Sequence, residues 1–147
     1  MFKNILVPVD GSKLSHKAIK PAIDIALAFK ASITGYYAAP EYHPEVWDEY
    51  VPPNFVTPDQ FRQMSGKVAR KYLSAVEKAA ARAGVATSCF STNSDVPYEA
   101  IIKAAQKRKC DLIVMASHGR SGLSRLMLGS QTYKVVTLSK VPVMVCH

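Results

Sequence analysis

The chain has 147 residues, 48% of them hydrophobic and 20% charged, and 19 Lys and Arg against 11 Asp and Glu give a net charge of +8. That length suits one domain that buries a core without a disulfide or a metal, and the composition is too apolar for a disordered chain. It holds no run of about 18 uncharged apolar residues to span a bilayer, and the apolar stretch after Met1-Phe2-Lys3-Asn4 is too short for a secretory leader, so the expected compartment is the cytoplasm.

Asn4 to Asp10 reads as a buried strand ending in the turn Asp10-Gly11-Ser12. From Ser15 to Lys30, Ile19, Ile23, Ala26 and Leu27 recur at helical spacing, and Pro21 is expected to kink that helix or disturb its first turns. Ser32 to Ala39 is a second β-rich run. Pro40 to Pro58 holds five prolines and is expected to form a long irregular excursion. Phe61, Met64, Val68, Tyr72, Ala75, Ala79 and Ala83 mark one face of a long helix stopped at Gly84. Lys67, Arg70, Lys71, Lys78 and Arg82 fall mostly on the opposite face and read as solvated. Val85 to Ser91 is a third strand, and Pro97 to Arg108 a helix with Ile101, Ala104 and Ala105 inward. Asp111 to Ala116 is the fourth strand. A Gly/Ser-rich loop, a last helix and the apolar run Val141 to Cys146 complete the order.

Apolar strands alternating with amphipathic helices imply βαβ units and an α/β fold with helices on both faces of a parallel sheet. The simplest topology is a five-stranded doubly wound sheet. Such sheets bind ligands beyond the carboxyl ends of their strands, where the strand order reverses. That directs attention to Asp10-Gly11-Ser12 and to Ser117-His118-Gly119. Cys89, Cys110 and Cys146 are odd in number and widely spaced, and read as buried free thiols. His16, His43 and His147 are scattered singly, which argues against a metal site.

The segment from Ala116 to Thr132 carries the chemistry. It leaves an apolar strand, is rich in small residues, and reaches a helix start at Gly129-Ser130. Small residues admit a ligand close to the backbone, and helix-start amides point at whatever lies there. Ser130 and Thr132 add hydroxyls, and Arg120 and Arg125 add positive charge, so the parts of a phosphate cradle are present. Neither GxGxxG nor GxxxxGK[ST] occurs. The same loop also reads as a flexible connector.

Four segments together make the chain recognisable: Ile5 to Ser12, Pro97-Tyr98-Glu99-Ala100-Ile101, Asp111 to Arg120 with Leu128-Gly129-Ser130, and Val141 to Val145. In this order they resemble the universal stress protein family along nearly the whole chain. The resemblance implies one domain over residues 1–147 with a flavodoxin-like, Rossmann-like sheet. It also implies a cytoplasmic homodimer, paired through the last strand Val141 to Cys146. One branch of the family binds ATP or AMP through a G-x2-G-x9-G-[S/T] motif. Here Gly119, Gly129 and Ser130 match that motif, and Ala116 replaces its first glycine.

Carried over by position, the nucleotide site comprises Pro8, Val9, Asp10, Ser12, Ala38, Met115, Ala116, Ser117, His118, Gly119, Arg120, Gly129, Ser130, Gln131 and Thr132. Asp10 would lie at the adenine or ribose end, Val9 and Ala38 would wall the base, and Met115 to Ser117 would lie beneath the ribose. Gly119 and Gly129 to Thr132 would hold phosphates, with Mg²⁺ accompanying ATP. No residue constellation for nucleophilic or general-base catalysis is visible, so the implied role is a stress-response sensor or regulator with at most slow ATP hydrolysis.

Plainer readings stand beside these. Asp10 also suits a cap on its own turn, His118 a loop-stabilising role, and Arg120 and Arg125 a solvated one. Tyr42, Trp47 and Tyr50 in the excursion can cover a nucleotide, face an unknown protein partner, or pack back on the body. Ala116 suits a nucleotide-free, homodimeric interaction protein with a degenerate loop. The +8 charge suits nucleic acid, but no reading helix, zinc finger or RNP aromatic set accompanies it. Moreover, no Lys or Arg lies between Ala31 and Phe61, and Glu41, Glu45, Asp48, Glu49 and Asp59 make the excursion acidic. Without those five acids the balance is 19 − 6 = +13, a basic body bearing an acidic flap, which favours a small phosphorylated ligand over nucleic acid.

Overall fold

The computed structural model describes residues 1–44, 50–120 and 127–147, so Trp47 and Arg125 lie outside the described residues. The order is β1 (Asn4–Pro8), a 3-10 turn (Ser15–Ala18), α1 (Ile19–Phe29), β2 (Ser32–Ala39), α2 (Pro58–Ala83), β3 (Thr87–Asn93), α3 (Pro97–Lys107), β4 (Leu112–Ala116), α4 (Ser130–Leu138) and β5 (Val143–Cys146). The five strands form one sheet in the order β3-β2-β1-β4-β5, with every neighbouring pair parallel. The order reverses between β1 and β4, so this is the doubly wound α/β architecture expected from the strand–helix alternation.

β1 and β4 are buried on both faces, which is why they read as unbroken apolar runs. Ile5, Val7, Leu112 and Val114 pack on one side with Ile23, Leu73 and Val76 from α1 and α2. Leu6, Ile113 and Met115 pack on the other with Ile101, Ala104 and Val135 from α3 and α4. Cys110 and Cys146 are buried and Cys89 is half-buried, and all three are free thiols.

Several boundaries differ from the sequence reading, each for a local hydrogen-bonding reason. Pro21 sits in the first turn of α1, and the four residues before that helix form a 3-10 turn instead of continuing it. α2 begins at Pro58, not Phe61, because Thr57 builds a capping box with Gln60. Its buried line is Ala69, Leu73, Val76 and Ala80, and Met64 and Val68 from the predicted stripe are exposed. β3 starts at Thr87, since the Val85 amide still donates to Ala80 O at 2.9 Å and closes α2. Asp111 precedes β4 and accepts from the Lys3 and Asn4 amides at 2.8 and 3.1 Å, tying it to the start of β1. The Val141 amide donates to Ser139 Oγ at 3.0 Å, which holds a turn and delays β5 to Val143.

Among the described residues no helix is long and apolar enough to cross a membrane. In the excursion, Tyr42 packs back on the body. Its hydroxyl donates to Val56 O at 2.6 Å and its ring centroid lies 5.2 Å from that of Phe61. Tyr50 is exposed.

Candidate functional site

A cavity of about 430 Å³ opens at the carboxyl ends of the strands, against the reversal between β1 and β4. Its wall takes Pro8, Val9 and Asp10 from the end of β1 and Ala38 from β2. Met115 and Ala116 come from β4, His118, Gly119 and Arg120 from the following loop, and Gly129, Ser130, Gln131 and Thr132 from the start of α4. All of these were singled out in the sequence. Ser12 and Ser117 are not on the wall. Ser12 turns inward, its hydroxyl donating to Asp10 Oδ1 at 2.6 Å, and Ser117 is buried with its hydroxyl 3.1 Å from His118 Nδ1. Ser15, Tyr37, Pro40, Ser94, Asp95, Pro97 and Ile101 complete the wall and escaped the sequence reading. Ile101 was legible only as a core position. Tyr37 lies in β2, Ser15 opens the 3-10 turn, Pro97 opens α3, and Pro40, Ser94 and Asp95 lie on the connections beside β2 and β3, so the sheet order brings them to the cavity.

Ser130, Gln131 and Thr132 are the first three residues of α4, with Gly129 as its N-cap. Their amides have no acceptor within the helix, and the helix dipole adds partial positive charge. The Gly129 amide differs, because it donates to Ser117 O at 2.8 Å and is spent on the loop. The side chains are also partly committed. Thr132 donates its buried hydroxyl to Ala116 O at 3.0 Å, and Gln131 Oε1 accepts from the Tyr98 amide at 3.0 Å, joining the starts of α3 and α4. What the α4 start offers an anion is therefore chiefly its backbone.

Asp10 is the most heavily bonded residue of the wall. Its Oδ1 accepts from the Ser12 amide at 2.9 Å as well as the Ser12 hydroxyl, and its Oδ2 accepts from the Arg120 amide at 3.0 Å. Burial pushes the Asp10 carboxyl up, but the hydrogen bonds from Ser12, Ser15 and the Arg120 amide outweigh it and hold the group below its ordinary value. Asp10 thus caps its own turn and pins the loop after β4 at the same time. Arg120 returns the contact, its Nε donating to Asp10 O at 2.9 Å and its Nη2 to the Tyr72 hydroxyl.

Ala116 closes β4 in register with Cys146. Among the described non-glycine residues a positive φ occurs only at Lys30 and Lys109, so the strand end at 116 uses no conformation reserved for glycine.

Asp10 and Asp95 are the carboxylates of the described wall. The first has both oxygens occupied. The second accepts from the Glu41 amide at 2.9 Å and from His43 Nε2. These residues fit a Mg²⁺ ion poorly, and the positive character of the described wall comes from Arg120 and the α4 amides. His43 is not solitary as its sequence position suggested, since Glu41, His43 and Asp95 bring ligand atoms within 4.8 Å of one another. All three are exposed, and the His43–Asp95 pair with the Glu41 amide accounts for the grouping without an ion.

The comparisons agree with this geometry. The universal stress protein family model matches residues 1–147. Universal stress protein YxiE of Bacillus subtilis is 34% identical over 149 aligned positions, covering 99% of each chain. Universal stress protein MJ0531 of Methanocaldococcus jannaschii is 32% identical, covering 99% of this chain and 82% of its own. A solved universal stress protein in complex with cAMP superposes with a TM-score of 0.68 at 25% identity, covering 99% of this chain and 97% of that one. With the family model matched over residues 1–147 and full-length relatives above 30% identity, the chain belongs to the universal stress protein family.

Proposed function

We propose that the chain binds an adenine nucleotide, ATP or AMP, in the strand-end cavity. In this reading it acts in the cytoplasm as a homodimeric stress-response regulator and not as a metabolic enzyme. The observation that carries the reading is the pairing of two unlike kinds of wall in one cavity. It presents the α4 amides and Arg120, suited to phosphate. It also presents Val9, Ala38, Ile101 and Met115, suited to a flat apolar base. The cAMP complex of a relative 25% identical supports an adenine nucleotide as the ligand class. Its volume of about 430 Å³ lies within the range of small-ligand pockets, roughly 300–1,000 Å³.

Isothermal titration of nucleotide-stripped protein with ATP, ADP and AMP tests the reading. Saturable binding of at least one is expected, and the absence of heat at millimolar ligand overturns it. The unspent strand edge of β5 supports the homodimer, and the partner protein that would read the nucleotide state is left to pull-down with and without ligand.

A further inference from the structure

Tyr72 lies beside the line of residues that buries α2, and its surroundings give it a task that the helix pattern does not require. Its ring stands edge-on to Tyr37 of the cavity wall, with centroids 5.0 Å apart and planes at 82°. Gly11, at φ +81°, comes so close that a Cβ there would fall 2.3 Å from the ring. On the remaining side the Arg120 guanidinium lies 5.1 Å from the ring centroid, and its Nη2 donates to the Tyr72 hydroxyl. Arg120 Nε donates to Asp10 O at 2.9 Å, and the Arg120 amide to Asp10 Oδ2 at 3.0 Å. The arginine is therefore fixed at its backbone, at Nε and at Nη2. Among the described residues these side-chain contacts engage two of the five N–H groups of the guanidinium, and the Tyr37 hydroxyl on the cavity wall lies against the same group.

We infer that Tyr72 is a positioning residue that presets Arg120 for the phosphate of the bound nucleotide, and so sets the preference for nucleotide over nucleoside. The inference rests on the nucleotide reading above and deepens it. A mobile arginine must surrender rotamer freedom when it meets a phosphate, whereas here α2 has already immobilised it. The guanidinium over the Tyr72 ring adds a cation–π contact to that hold.

The test compares AMP with adenosine, which lacks the phosphate, by calorimetric titration of wild type, Tyr72→Phe, Arg120→Ala and the double variant. Tyr72→Phe keeps the ring against Gly11 and Tyr37 and removes only the hydroxyl. Its AMP affinity is expected to fall about three- to tenfold, the equivalent of one freed arginine, while adenosine affinity is unchanged. In the Arg120→Ala background, Tyr72→Phe is expected to add nothing. Unchanged or improved AMP binding in Tyr72→Phe overturns the inference, as does an equal loss for AMP and adenosine, which marks a merely structural tyrosine. Wild type that binds neither ligand overturns the nucleotide reading and the inference together. Wild type that binds AMP, with an AMP-to-adenosine ratio indifferent to Tyr72, removes the inference alone.

Discussion

A side chain at position 119 would place its Cβ 2.2 Å from Asp10 Oδ2, so any larger residue there would have to displace that carboxylate from its hydrogen bonds. In the sequence the same glycine reads as room for a phosphate. Both follow from one fact, that the loop after β4 is pressed against the turn after β1. Asp10 is the residue that holds them together, and its charge makes that joint sensitive to pH. Asp10→Asn puts an amide N–H where one of two N–H donors now points, and the loss is expected to cost about 1.5–3 kcal/mol near neutral pH. Because the folded carboxyl sits below its ordinary value of 3.8, its stabilisation is complete above that value and disappears as pH falls through the folded one. Urea melts of wild type and variant across that range are therefore expected to differ at neutral pH and converge in acid. A gap independent of pH would show that the charge of Asp10 does not hold the loop.

At the scale of elements, what was legible in the sequence depended on how completely each element is buried. β1 and β4 are covered on both faces and announce themselves as apolar runs. β3, Thr87–Asn93, is an edge strand made of Ser, Thr and Asn around Cys89 and Phe90, and its start was misplaced because that composition carries little hydrophobic signal. α2 was misphased for a related reason. Its buried line contains two alanines, Ala69 and Ala80, whereas its large side chains Phe61 and Tyr72 flank that line and meet Tyr42 and Arg120. The cavity wall taken from the loops after β1 and β4 was legible because it is local in sequence. The Tyr72–Arg120 contact spans 48 positions and the Tyr98–Gln131 contact 33, and neither exists until the sheet order brings its helices together. The start of α2 was nonetheless written in Thr57-Pro58-Asp59-Gln60. Thr57 Oγ1 accepts from the Gln60 amide at 3.2 Å, and Gln60 Oε1 accepts from the Thr57 amide at 2.9 Å. Thr57→Ala is expected to destabilise the protein by about 1 kcal/mol, lowering the melting temperature by roughly 3 °C, without changing nucleotide affinity. Thermal denaturation by circular dichroism checks the first outcome. An unchanged melting point would mean the first turn of α2 is held by packing alone.

For the whole molecule, the sheet has two edges of opposite character, β3 and β5. The β3 edge is polar, and exposed edges of that kind resist pairing. The β5 edge is Val143-Met144-Val145-Cys146, with Met144 exposed and Tyr133, Val136 and Leu138 of the adjacent α4 exposed as well. This apolar margin is what a second copy would cover in the proposed homodimer. The hydrogen-bond pattern states which groups would do it. Pro142 O accepts from the Ile113 amide and Cys146 O from the Ser117 amide, both toward β4. Backbone groups alternate along a strand, so those of Val143 and Val145 point away from β4 to the free edge. Val145→Pro therefore removes a donor from the edge while leaving the β4 ladder its own bonds, the one place in a strand where proline is tolerated. Sedimentation velocity at micromolar protein is expected to show a dimer for the wild type and a monomer for Val145→Pro, with matching circular dichroism. A wild type that sediments as a monomer would remove the homodimer from the proposal. A variant that stays dimeric would move the interface off β5, leaving the exposed side chains of α4 to carry it.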